Sequence, residues 1–193
     1  HPAGSLQLLS GDPDAQDKPG PVYPDFMTVA NYLRRDAQRK LPNYVGVNAI
    51  TRYDSFTIAG PAYLGPSYEP FKVTGDPNSP AFEVPNIGLQ DTSQVARLQD
   101  RVSLRRRIDR LRRDVDQSGL LEAVDVFEAQ ALNLLTSREA ASAFDLSQED
   151  PRIRERYGLN QWGQQCLMAR RLVEAGVELI TTTFDGPLCG RVA

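Results

Sequence analysis

The sequence predicts an α/β fold, and three local patterns carry that expectation. An amphipathic segment at about 24–38 leads to a short β-branched run, Tyr44-Val45-Gly46-Val47, bounded by Asn43 and Asn48. A helical stretch from Gln161 to Ala175 closes on Gly176 and passes directly into Val177-Glu178-Leu179-Ile180-Thr181-Thr182-Thr183. Helix, glycine and strand in that order make half of a βαβ unit. Between these parts lie two apolar helical stripes, so the strands alternate with helices rather than forming an all-β array.

Taken in order, residues 1–23 open with a Ser/Leu/Gln run. They continue through Gly11-Asp12-Pro13-Asp14 and Lys18-Pro19-Gly20-Pro21, which is turn chemistry and predicts a loop. Pro24 suits a first helical position, and Phe26, Val29, Ala30 and Leu33 recur at three and four, predicting a helix that Pro42 ends. The run 44–47 is too short for a helix and fits a buried strand. Residues 51–90 interleave prolines and glycines with Tyr53, Phe56, Tyr63, Tyr68, Phe71 and Phe82. So long an irregular segment is uncommon in a compact domain, and its aromatics favour packing over disorder. It is either ordered coil over a sheet edge or a substrate-facing loop.

From Asp91 the apolar period becomes helical. Val95, Leu98, Val102, Ile108, Leu111 and Val115 form one stripe, and Leu120, Leu121, Val124, Phe127, Ala131, Leu132 and Leu135 form another after Ser118-Gly119. Two such helices should pack as an antiparallel hairpin. Thr136-Ser137-Arg138-Glu139 is a capping-box pattern, and Asp150-Pro151 starts a further helix. Val45, Val47, Leu172, Val173, Leu179 and Ile180 are the expected core at the sheet.

Composition excludes several classes of function. The chain has 193 residues, 22 basic and 25 acidic, for a net charge of −3, which gathers no polyanion by a global field. Arginines at 97, 101, 105–107, 110, 112 and 113 are interleaved with Asp100, Asp109, Asp114 and Asp116, so they read as a solvated, ion-paired helix face and not as a nucleic-acid surface. No apolar run approaches the roughly 20 residues of a membrane span. Cys166 and Cys189 are too few for a disulfide framework or a four-thiolate zinc site, and each reads as a buried thiol. With His1 as the single histidine, no complete metal site is expected within the chain, and no cofactor motif is present. His1 at the start and the apolar run near the end suggest an internal piece of a larger protein.

Asp185 follows the carboxyl end of the last strand, where α/β proteins place functional groups, although an aspartate before Gly186-Pro187 also suits a turn. Arg170 and Arg171 should pair with Glu174 and solvent.

Several segments together resemble a known family. They are His1-Pro2-Ala3-Gly4-Ser5-Leu6-Gln7-Leu8-Leu9-Ser10-Gly11, Leu41-Pro42-Asn43-Tyr44-Val45-Gly46, Gly60-Pro61-Ala62-Tyr63-Leu64-Gly65-Pro66, and Tyr68-Glu69-Pro70-Phe71. Arg156-Tyr157-Gly158 and the run from Cys166 to Val177 complete the set. The chain resembles the bacterial domain-of-unknown-function (DUF) 1501 family, which is similar to the sulfatase and alkaline-phosphatase superfamily. The resemblance implies a partial alkaline-phosphatase-like three-layer α/β/α sandwich with a helical insertion. Residues 1–90 would supply an α/β part, 91–157 the insertion, and 158–193 a helix and strand returning to the sheet.

It also implies divalent-metal hydrolysis of sulfate or phosphate esters in the full-length protein, with metal ligands before His1 and after Ala193. The stretch His1–Gly11 is similar to the one following the modified cysteine of sulfatases, which puts His1 at the nucleophile position. Imidazole can attack or take a proton, but it is not a hydrated aldehyde, so phosphate-ester or other metal-assisted hydrolysis stays open. The candidate catalytic residues are therefore His1 and Asp185, acting on a small-molecule or glycan ester, with no activity expected from these residues alone. The alternative is a non-catalytic carbohydrate- or partner-binding protein on the same fold. Export to the periplasm or cell envelope is implied by the resemblance alone.

Overall fold

The computed structural model describes residues 2–36, 39–53, 55–84, 87, 97, 100, 133–135 and 137–184. The expected hairpin at 91–135 lies outside the described residues, apart from helical positions 97, 100 and 133–135.

The first element corrects the sequence reading, because helix α1 spans Pro2–Ser10 where a loop is expected. Proline is tolerated in a first helical turn, where its missing N–H costs nothing. Ala3 and Leu6 turn inward, and Gly11 at φ 69 ends the helix with its N–H on the Gln7 carbonyl. The turn behind α1 folds around a cation of the chain's own. Asp12, 2 % exposed, accepts from the Lys18 ammonium at 2.7 Å and from the Asp14 N–H at 3.0 Å, while Asp17 accepts from Ala3 N at 2.8 Å.

Helix α2, Phe26–Leu33, is shorter than expected at both ends. Asp25 is its N-cap, so Pro24 stands before the cap and not at the first helical position. Strand β1, Tyr44–Val47, is where its β-branched run predicts. Strands β2, Arg52–Tyr53, and β3, Phe56–Thr57, make a small antiparallel pair. Two 3-10 turns follow, at Ala62–Leu64 and Pro66–Tyr68, and then strand β4 at Phe71–Val73. The segment expected to be irregular thus contributes a strand of the main sheet. Three residues are too few for a period-2 pattern to stand out among prolines.

Helix α3, Arg138–Phe144, is capped by Ser137, whose Oγ accepts from Ala140 N. Helix α4, Pro151–Tyr157, starts at Asp150-Pro151 as predicted. Helix α5, Gln161–Glu174, leads through Gly176 at φ 101 into strand β5, Leu179–Thr182.

Strands β4, β1 and β5 form a parallel sheet in that order, with β1 central. The protein is therefore mixed α/β with a small three-stranded parallel sheet. Register assigns the faces, since partners in a parallel ladder point the same way and neighbours along a strand alternate. Val45 pairs with Phe71 and Ile180, and Val47 with Val73 and Thr182. This row faces α3 and α5: Val45, Val47, Leu167, Met168 and Leu172 have no exposed surface, and the Phe71 and Phe144 rings lie 6.0 Å apart. Each such large aliphatic side chain contributes about 1.5–3 kcal/mol by leaving water. Tyr44, Gly46, Lys72 and Thr181 share the opposite face, towards α2. Of the expected core, Val173 is corrected: it is 58 % exposed, because it lies on the outer side of α5, while Val177 is buried instead.

Two polar contacts orient α5. Gln164, with no exposed surface, accepts from Arg154 Nε at 2.8 Å and donates to the carbonyls of Arg154 and Gly158. Arg171 departs from the expected pairing: it reaches Glu149 at 2.8 Å and the carbonyls of Ser142 and Ala143, and only Arg170 pairs with Glu174. Among the described residues no helix is long and apolar enough to cross a membrane.

Two predictions follow from this packing. A Cβ on Gly163 would lie 2.1 Å from the Tyr157 carbonyl oxygen, so Gly163→Ala should destabilise by at least the about 1–3 kcal/mol typical of overpacking, as read by urea unfolding. Lys18 first, and then the Asp14 N–H, hold the Asp12 carboxyl below its ordinary value. Its stabilisation is thus complete above the unfolded value of about 3.9 and lost as pH falls through the lower folded one. Asp12→Asn should lower the unfolding midpoint at neutral pH and flatten its fall below pH about 4. An unchanged acid limb would show that Asp12 is not the group responsible.

Candidate functional site

A cleft of about 480 Å³ opens on the Tyr44 face of the sheet. Its floor is Tyr44 and Thr181, and its rim includes Ala49-Ile50-Thr51 and Thr182-Thr183, the residues at the carboxyl ends of β1 and β5. Loops beyond strand ends are where an α/β sheet exposes backbone and side chains that the packed interior does not consume.

The exit of β1 is set by Asn48. It takes the left-handed conformation at φ 49, which asparagine tolerates better than branched residues. Its side chain then exchanges hydrogen bonds with Gly75, donating to the carbonyl at 2.6 Å and accepting from the N–H at 2.9 Å. This ties the exits of β1 and β4 together. Ile50 N donates to Thr183 Oγ1 at 3.1 Å, which ties the β1 exit to β5 in the same way. Gly46 leaves room for the turn: a Cβ there would meet Ala49 at 2.9 Å and Pro70 at 3.2 Å.

The opposite wall depends on one buried carboxylate. Asp25, 5 % exposed, caps α2 by accepting from Thr28 N at 2.9 Å and from Thr28 Oγ1 at 2.9 Å. It also accepts from Gly60 N at 2.9 Å, while its own N–H donates to the Gly60 carbonyl. Both oxygens are therefore engaged, and the loop 57–61 is clamped to the start of α2. Two of the other charges in the lining pair with each other. Lys72 meets Glu69 at 2.6 Å, and Arg52 donates to the carbonyls of Pro19 and Ser55.

Tyr44 hydrogen-bonds Thr181 Oγ1 at 3.2 Å. Burial pushes its phenol up to about 12, so it is a neutral hydroxyl at neutral pH. The described residues do not fit a divalent metal. No group of three His, Cys, Asp or Glu converges among them, and Asp25 and Glu69 are already committed.

The two residues chosen from the sequence, His1 and Asp185, both lie outside the described residues. In sequence, His1 precedes the first residue of α1, and Asp185 is three residues beyond the end of β5. Cys166 is a free, half-buried thiol on α5, and Cys189 lies outside the described residues. Sequence reasoning missed Asp25, Tyr44, Lys72 and the threonines of the cleft. Three consecutive hydroxyls at a strand end, Thr181-Thr182-Thr183, are the signal that could have found part of the site.

The family model described as protein of unknown function, DUF1501, matches residues 1–186. The chain belongs to the DUF1501 family. No curated protein and no solved structure matches it.

Asp25→Ala should remove the cap of α2 and free the loop at Gly60. The expected loss is about 2 kcal/mol, the upper part of the range for a helix cap, measured by thermal unfolding. A loss indistinguishable from zero would show that the clamp does not hold the wall of the cleft.

Proposed function

We propose that this DUF1501 protein hydrolyses phosphate or sulfate esters at the carboxyl edge of the β4-β1-β5 sheet. The observation that carries the reading is the position of the cleft, whose rim is built from the residues that leave β1 and β5. Asp185 comes three residues after the end of β5 in the sequence, which supports a carboxylate near that edge.

In this reading His1 supplies an imidazole as nucleophile or general base, and Asp185 orients it or binds the reacting group. The resemblance to the sulfatase and alkaline-phosphatase superfamily supports a divalent metal in the intact protein. Because the described residues do not fit one, its ligands would lie outside them.

The test is metal content and ester hydrolysis by the intact protein, purified without chelator and assayed on aryl phosphates and aryl sulfates. Turnover should fall by about 100-fold or more in His1→Ala and in Asp185→Asn, as expected for loss of a general acid–base group or nucleophile. A metal-replete protein that turns over neither ester class, or a His1→Ala variant with undiminished turnover, would sink the assignment.

A further inference from the structure

We propose that the cleft on the Tyr44 face binds a neutral polyhydroxylated ring, of the kind presented by a sugar. Three observations lead there. The first is charge. Among the described residues, the lining carries Asp25, Arg52, Glu69 and Lys72, two of each sign, and every one is engaged within the protein. The two signs balance, so the lining has no net charge that would select an anion or a cation.

The second is the supply of hydroxyl groups. Each hydroxyl has one donor hydrogen and two acceptor lone pairs. In the bond between Tyr44 and Thr181 only one of the two hydrogens is used, so the pair keeps one O–H to donate and lone pairs to accept. Thr183 Oγ1 accepts from Ile50 N, which leaves its own O–H free of that bond. The high phenol pKa keeps Tyr44 in the form that can both donate and accept. Groups that can both donate and accept match vicinal hydroxyls, each of which also donates once and accepts twice.

The third is shape. Pro21, Met27, Pro61 and Pro70 place aliphatic carbon around the same space, suited to the C–H faces of a saturated ring. At about 480 Å³ the volume lies within the roughly 300–1,000 Å³ of small-molecule sites. If the ring is the alcohol portion of an ester, this inference rests on the hydrolase reading. Binding of the ring alone does not.

The experiment is calorimetric titration of the intact protein, with and without chelator, using methyl glucoside and N-acetylglucosamine as neutral probes and inorganic sulfate as the anionic control. At least one saccharide should bind, with or without metal, and sulfate should not displace it. Thr181→Val and Tyr44→Phe should each weaken binding by about five- to tenfold, the effect of losing one hydrogen bond. Should Tyr44→Phe not fold, Thr181→Val decides, because that half-exposed site exchanges a hydroxyl for a methyl group of similar size.

Absence of saccharide binding overturns the proposal. So does wild-type affinity in folded Thr181→Val, or displacement by sulfate. Saccharide binding in a protein that hydrolyses no ester would support this site and overturn the hydrolase reading. Ester turnover with no saccharide binding and an unchanged KM in Thr181→Val would do the reverse.

Discussion

The architecture depends on β1 being paired on both edges while its two faces meet different surroundings. Parallel strands need cover on both faces, because their crossovers bring helices to each side. Val45 and Val47, with no exposed surface, point into α3 and α5 and exclude water there. Tyr44 and Gly46 point the other way, towards α2 and the loop at 57–61. A one-residue slip of register would exchange these rows, exposing valines and driving a tyrosine hydroxyl into the apolar layer.

On the apolar side, polar side chains decide direction more than they add stability. Gln164 is fully buried and Arg171 largely so, and their partners are backbone carbonyls, one carboxylate and the Arg154 guanidinium of neighbouring segments. A shift of α5 by one turn would strand those groups without partners, at about 1–3 kcal/mol for each neutral one. Gly163 contributes through absence, letting the start of α5 lie directly against the carbonyls that end α4. Gln165 accepts from Thr182 Oγ1, and among the described residues its buried Nε2 has no partner.

On the polar side the same logic produces a cleft. Asp25 organises its wall and spends three accepted hydrogen bonds within the protein, while the pairing of Tyr44 with Thr181 leaves hydroxyl capacity unused at the floor. Lys72 is drawn to Glu69, and Arg52 to two carbonyls, so the opening carries little net field. One sheet thus separates a water-excluding layer from a neutral, hydroxyl-bearing one. The proposed chemistry and the proposed ligand both concern the second.

The sequence by itself determined the elements whose signals are local. The β-branched run 44–47, the Asp150-Pro151 helix start and the helix, Gly176 and strand series all stand where their residues place them, since capping, φ restriction and period act within a few residues. The candidate site residues His1 and Asp185 lie outside the described residues. Only the tertiary structure decided that Phe71–Val73 is a strand, that Pro2–Ser10 is a helix and that Val173 faces water. These outcomes depend on which neighbours cover each segment. Likewise Asp25 meets Gly60, and Tyr44 meets Thr181, across 35 and 137 residues of chain. No local pattern encodes a contact at such separation, because it forms only once the register of β1 with β5 brings the partners to one face.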